Sequence, residues 1–189
     1  TGSLISNLSK PQQVGYDTAA FGQGIAVTPL QMVRALGAIA NKGEMVQPHI
    51  VSAIRLNSGI ERKLDWGKNV RVFSATSTVE TIGMMDALMD EILYDKKAKI
   101  PTMSVAVKTG TAQLTNSSGG YYTDKFFHSF VGFFPSYNPR FIILLYTNDP
   151  KGVQYASETL DTSFLDLVHF LIDYYAVSPD RGLSTTTTP

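Results

Sequence analysis

Cysteine is absent from the 189 residues, and disulfide frameworks, thiolate zinc sites and thiol catalysis are excluded with it. The redox compartment stays open. Net charge is missing too, because 16 Lys plus Arg stand against 16 Asp plus Glu. No global field gathers phosphate backbones or anionic lipid, and no nucleic-acid partner is expected. The longest apolar run, residues 141–146, falls far short of the roughly 20 residues that a membrane-spanning helix needs. No charged-then-apolar leader opens the chain, and no internal repeat is visible. His49, His128 and His169 do not pair at metal-ligand spacing, so no metal and no other cofactor is expected.

What is present reads as a folded piece. Hydrophobic residues make up 43% and charged residues 17%, too apolar for a disordered chain. The length fits one domain or a large part of one. The chain opens on Thr1 and closes on Thr185, Thr186, Thr187, Thr188 and Pro189, which reads as a cut end followed by a frayed tail. The expected division is therefore a folded portion over 1–178 and a flexible tail over 179–189.

Residues 1–20 are polar and read as an irregular lead-in. Thr28 with Gln31 spells a capping box and Pro29 occupies the first helical position, so a helix is predicted from there to a stop at Gly43. Short strands are predicted over 49–56 and 70–73, around a polar turn at 57–59. Ser77 with Glu80 spells a second capping box, opening a helix toward Tyr94 in which Met84, Met85 and Met89 pack one face. Asp86, Asp90, Glu91 and Asp95 read as its solvated side. Three β-type runs follow at 103–108, 127–134 and 140–147, the last two a hairpin about 135–139. Residues 112–125 read as a long polar loop of the kind that borders a binding site. A final helix is predicted over 159–175. Three consecutive strands with short links define an α+β fold, an antiparallel sheet covered by helices, because a parallel sheet would need crossovers for which there is no room.

Lys108, Thr109, Gly110 and Thr111 close a predicted strand and carry the chemistry. A lysine charge beside two hydroxyls can hold a carboxylate, glycine permits close approach, and the backbone amide after it can face a developing oxyanion. The tetrapeptide alone fits equally a strand end with a solvated lysine. His128 reads as a core histidine rather than a site residue. Phe21, Gly22, Gln23 and Gly24 read as turn chemistry rather than a phosphate loop. Tyr121, Tyr122, Phe126 and Phe127 cluster at the end of the polar stretch, where aromatics either line a cleft or simply pack the loop.

With Gln113 the motif becomes KTGTAQ, and with FGQGIAVTPLQMVRALGAIANKG over 21–43 and the paired strands at 130–135 and 141–150 the sequence resembles the class B, monofunctional transpeptidases among the penicillin-binding proteins. The resemblance covers most of residues 21–175. It implies a serine β-lactamase or D,D-peptidase-like fold, here its C-terminal portion. It also implies peptidoglycan D,D-transpeptidation, in which a serine forms an acyl-enzyme with a D-Ala-D-Ala stem peptide or with a β-lactam. Carried over by position, Lys108, Thr109, Gly110 and Thr111 bind the substrate, the lysine and the two hydroxyls at its carboxylate and the glycine by permitting close approach, and the Thr111 amide completes the oxyanion hole; Gln113, Tyr121, Tyr122 and Phe126 are candidate cleft lining, with loop packing the alternative for the aromatics. The family signature further holds a serine with lysine three residues on and a Ser-x-Asn element. Both precede residue 21 in such proteins, and only the lysine-threonine-glycine element is read in this chain. The resemblance thus implies a nucleophile on a preceding half of the domain, a chain inactive without it, and a parent anchored by an N-terminal helix on the outer side of the bacterial cytoplasmic membrane. A non-catalytic scaffold of the same fold, and a serine β-lactamase or β-lactam sensor, are the alternatives.

Overall fold

The computed structural model describes residues 2–9, 12–93 and 98–182. The lead-in is more ordered than its composition implies: a 3-10 turn at Ser6–Ser9 precedes helix α1, Gln13–Ala20. The α1 helix has no buried residue. It is tied locally, through the Tyr16 hydroxyl donating to the Leu8 carbonyl at 2.9 Å and the Thr18 hydroxyl to that of Val14 at 2.8 Å. Apolar periodicity could not reveal a helix held in this way. The glycine turn behind it has Gly22 and Gly24 at positive φ.

Helix α2, Pro29–Ala40, starts where the capping box places it. The Gln31 amide donates to Thr28 Oγ1 at 3.3 Å and the Thr28 amide to Gln31 Oε1 at 2.8 Å, satisfying two end donors at once. It ends at Ala40 with Asn41 as C-cap, short of the predicted stop at Gly43, which takes φ +90° in the turn that follows and where a Cβ would lie 2.1 Å from the Phe73 carbonyl. Four short strands follow: β1 (Glu44–Met45), β2 (Ala53–Arg55), β3 (Glu61–Lys63) and β4 (Val70–Arg71). The polar turn at 57–59 joins β2 to β3, while β4 returns to pair with β1. The β3 segment lacked the apolar alternation that marks a strand.

Helix α3, Ala75–Ala87, is capped by Ser74 rather than Ser77: Ser74 Oγ accepts from the Ser77 amide at 3.0 Å. Both serines are N-cap residue types, and the chain enters the helix at the earlier one although only Ser77 has a glutamate three residues on. A π-helical turn, Leu88–Ile92, continues it; Tyr94 and Asp95 lie outside the described residues. Met85 and Met89 are buried, whereas Met84 is exposed.

The main sheet comprises β5 (Ala106–Thr115), β6 (Tyr121–Phe134) and β7 (Phe141–Asn148), antiparallel in that order, with β5 at one edge. The stretch 112–125 is therefore no open loop. Both strands continue through it to a turn in which Asn116 Oδ1 accepts from the Ser118 and Gly120 amides, each at 3.0 Å. Helix α4, Asp161–Tyr174, covers one face, its Phe164 and Val168 packing with Val107, Phe130 and Phe134. On the other face Ala106 and Phe133 pack with Ile82 and Met85 of α3, and with Ile39 and Ala40 of α2. Period-two alternation along β5 and β6 divides these residues between the two layers.

The acidic side of α3 and its π-helical extension is only partly solvated: Glu91 is exposed, as expected, but Asp86 and Asp90 are paired. Arg181 donates to Asp86 Oδ2 at 2.6 Å and to Asp90 Oδ1 at 2.9 Å, while Lys99 pairs with Asp90 at 3.2 Å. Asp86 also accepts from Ser136 Oγ at 2.6 Å. Asp180 accepts from the Ser104 amide at 2.7 Å and from its hydroxyl. Residues 180 and 181, placed by composition in a tail, are thus tied to Ser104 just ahead of β5 and to Asp86 and Asp90; residues 183–189 lie outside the described part. Burial acts to lower the Arg181 pKa, but the Asp90 hydrogen bond and the charges of Asp86 and Asp90 outweigh it and raise it above the ordinary arginine value. A base with a raised folded pKa contributes stability below its unfolded pKa and loses it only as pH rises through the folded value, so this cation holds across the working range. Arg181→Ala leaves two carboxylates four residues apart without their shared partner. It is expected to cost about 2 kcal/mol, read as a lowered urea midpoint at unchanged m; an unchanged midpoint would contradict it.

Candidate functional site

Lys108, Thr109, Gly110, Thr111 and Gln113 all lie on β5, whose only sheet partner among the described residues is β6. Alternation sends Lys108 and Gly110 toward the face shared with α2 and α3, and Thr109, Thr111 and Gln113 toward the α4 face. Lys108 is exposed and its Nζ donates to the Thr109 carbonyl at 2.6 Å. Among the described residues it makes no ion pair, so an uncompensated positive charge stands on an open sheet edge. An ammonium bonded only to a neutral carbonyl gains when a carboxylate replaces that partner.

Gly110 sits opposite Ser129. A Cβ built on it would lie 2.6 Å from Ser129 Oγ, so the glycine accommodates its neighbouring strand as well as any ligand. Thr111 sits opposite His128, and its Oγ1 accepts from the Ala156 amide at 3.1 Å. Gln113 sits opposite Phe126. The tyrosines are set apart: Tyr121 pairs with Thr115 at the far end of the hairpin, and Tyr122 lies beneath Lys125 Nζ, 4.5 Å from the ring centroid. Phe126 instead lines a cleft of about 420 Å³ between residues 123–126 and 150–154.

His128 is fully buried. One ring nitrogen lies 3.0 Å from Thr159 Oγ1 and the other 2.9 Å from the Gln154 carbonyl, as the core-histidine reading anticipates. His49 stacks on Trp66, with centroids 5.2 Å apart. Among the described residues no group of three His, Cys, Asp or Glu could hold a metal ion, and no helix is long and apolar enough to cross a membrane. Ala156 and Thr159 carried no sequence signal, because a turn that braces a strand has neither periodicity nor motif.

One triplet does have the Ser-x-Asn spacing, Ser136-Tyr137-Asn138, which corrects the reading that only the lysine-threonine-glycine element is spelled here. It follows that element instead of preceding it. Ser136 is also fully buried, with its amide bonded to Ser104 Oγ at 2.8 Å and its hydroxyl to Asp86. A serine committed in this way braces the β6–β7 turn.

This helix-covered antiparallel sheet is similar to the fold of penicillin-binding protein 3 from Mycobacterium tuberculosis. Its apo form matches with TM-score 0.79 and 26% identity over 96% of this chain and 43% of that one. Its ampicillin complex matches with TM-score 0.74 and 29% identity over 89% and 38%. The model of the penicillin binding protein transpeptidase domain matches residues 3–168, and the chain belongs to that family. A peptidoglycan D,D-transpeptidase FtsI of Buchnera aphidicola is 29% identical over 183 residues, 96% of this chain and 31% of that protein. Across three such transpeptidase relatives the chain spans only 27% to 31% of their length.

Proposed function

We propose that this chain is the C-terminal part of a peptidoglycan D,D-transpeptidase domain, supplying the wall of the active site that binds the carboxylate of a D-Ala-D-Ala stem peptide or of a β-lactam. The observation that carries this reading is the uncompensated Lys108 ammonium on an open edge strand, followed by Thr109, Gly110 and Thr111. Lys108 supplies positive potential and the two threonine hydroxyls donate to the carboxylate. The Thr111 amide faces the oxyanion that forms when a serine Oγ adds to the penultimate D-Ala carbonyl. Collapse of that adduct breaks the C–N bond and expels the terminal D-Ala; an acceptor amine then takes the acyl group and frees the serine. That serine, with its lysine three residues on, would come from the preceding half of the domain, and this chain alone would be inactive. The domain would act on the outer side of the cytoplasmic membrane, held by an anchor outside these residues. The β-lactam complexes of the structural relatives support the ligand class.

The test treats a purified sample containing both halves of the domain with a fluorescent penicillin, then separates it on a denaturing gel with intact masses. Label on a serine preceding these residues supports the proposal. Label on a serine of this chain would overturn the missing-nucleophile reading, and no label in a folded sample would favour a non-catalytic module.

A further inference from the structure

His128 sits under the recognition strand with both ring nitrogens committed, and nothing in the proposed chemistry uses it. Its cross-strand partner is Thr111. A carbonyl oxygen only accepts, so the nitrogen facing Gln154, Nε2, carries a proton and donates to it at 2.9 Å. Nδ1 lies 3.0 Å from Thr159 Oγ1, and that oxygen is also 3.2 Å from the Ala156 carbonyl, so its single proton serves one of the two contacts at a time. One buried imidazole therefore grips both ends of the 154–159 turn. Between those ends lies Ala156, whose amide donates to Thr111 Oγ1 at 3.1 Å. Glu158 Oε2 closes the turn from outside, accepting from the Tyr155 amide at 2.8 Å.

A threonine hydroxyl has one proton and two lone pairs, and its rotor is free until a partner fixes it. By occupying a lone pair, the Ala156 amide directs the Thr111 proton away from the turn. We infer that His128 is a positioning residue: through Thr159 and the 154–159 turn it holds the Ala156 amide on Thr111, so that the Thr111 hydroxyl is already oriented as a donor before a carboxylate arrives. This role rests on the proposed function of the Lys108 to Thr111 strand. A preoriented donor avoids the cost of ordering at the moment of binding, so the effect falls on noncovalent association.

The test measures penicillin acylation in the intact transpeptidase, resolved into the dissociation constant K of the initial complex and the acylation rate k2. Thr159→Val, close to isosteric and able to keep the core packed, is expected to raise K about tenfold with k2 little changed, the scale of one hydrogen bond. Thr159→Ser should restore K. Thr111→Val should raise K comparably, and adding Thr159→Val to it should cause no further loss, because both changes remove the same oriented donor. Additive losses, or a Thr159→Val enzyme with unchanged K, would overturn the positioning role alone. A wild-type enzyme that penicillin does not acylate would overturn the functional reading and this role together.

Discussion

Lys108→Ala in the intact transpeptidase is expected to slow acylation by penicillin by a factor on the order of 10²–10³. The size follows from what Lys108 touches. Its ammonium has the Thr109 carbonyl at 2.6 Å and, among the described residues, no anionic partner, so little structure is lost with it. What disappears is a cation on the sheet edge along which a ligand carboxylate would lie. A charge-assisted bond is about twice as strong as a neutral one, and the field that it supplies also favours the developing oxyanion. Stopped-flow kinetics with a chromogenic penicillin checks this, alongside thermal melting to show that the variant folds. Unchanged acylation would remove Lys108 from the site.

Gly132→Val is expected to lower stability by about 3 kcal/mol, at the upper end of the usual cost of overpacking. A Cβ at this position would lie 2.4 Å from Phe164 Cζ, 2.9 Å from the Ala106 carbonyl and 2.9 Å from Val107 Cγ1. None of these can retreat. Phe164 is fully buried and meets Phe130 at 4.6 Å between ring centroids, and Ala106 and Val107 belong to the strand ladder. Gly110 is a different case on the same sheet, since only the rotatable Ser129 hydroxyl stands in the way there. One glycine seats helix α4 and the other opens the recognition strand. Urea unfolding followed by circular dichroism checks the first, and a midpoint equal to wild type would contradict it.

These two residues also show what could be read from sequence. Lys108 and Gly110 were legible because lysine, hydroxyl and glycine in a row state their chemistry locally. Gly132 was not, because its reason is a phenylalanine 32 residues away. The α2 helix was legible from its capping box, and the antiparallel sheet from alternation and short links. The α1 helix, the β3 strand and the 112–125 hairpin were missed, each held by hydrogen bonds instead of an apolar pattern. On the acidic side of α3, Glu91 is exposed as expected, whereas Asp86 and Asp90 were misread because their partner, Arg181, enters from the far end of the chain. Tyr121 and Tyr122 show the limit of clustering in sequence, because the hairpin carries them away from the Lys108 edge while Phe126 stays near Gln113.

The most direct test of the account is a crystal structure of the intact transpeptidase acylated by a penicillin. The drug carboxylate is expected within hydrogen-bond distance, about 3 Å, of the Thr109 or Thr111 hydroxyl, with Lys108 Nζ turned from the Thr109 carbonyl toward the ligand. A carboxylate held by other residues, with Lys108 still on that carbonyl, would contradict it.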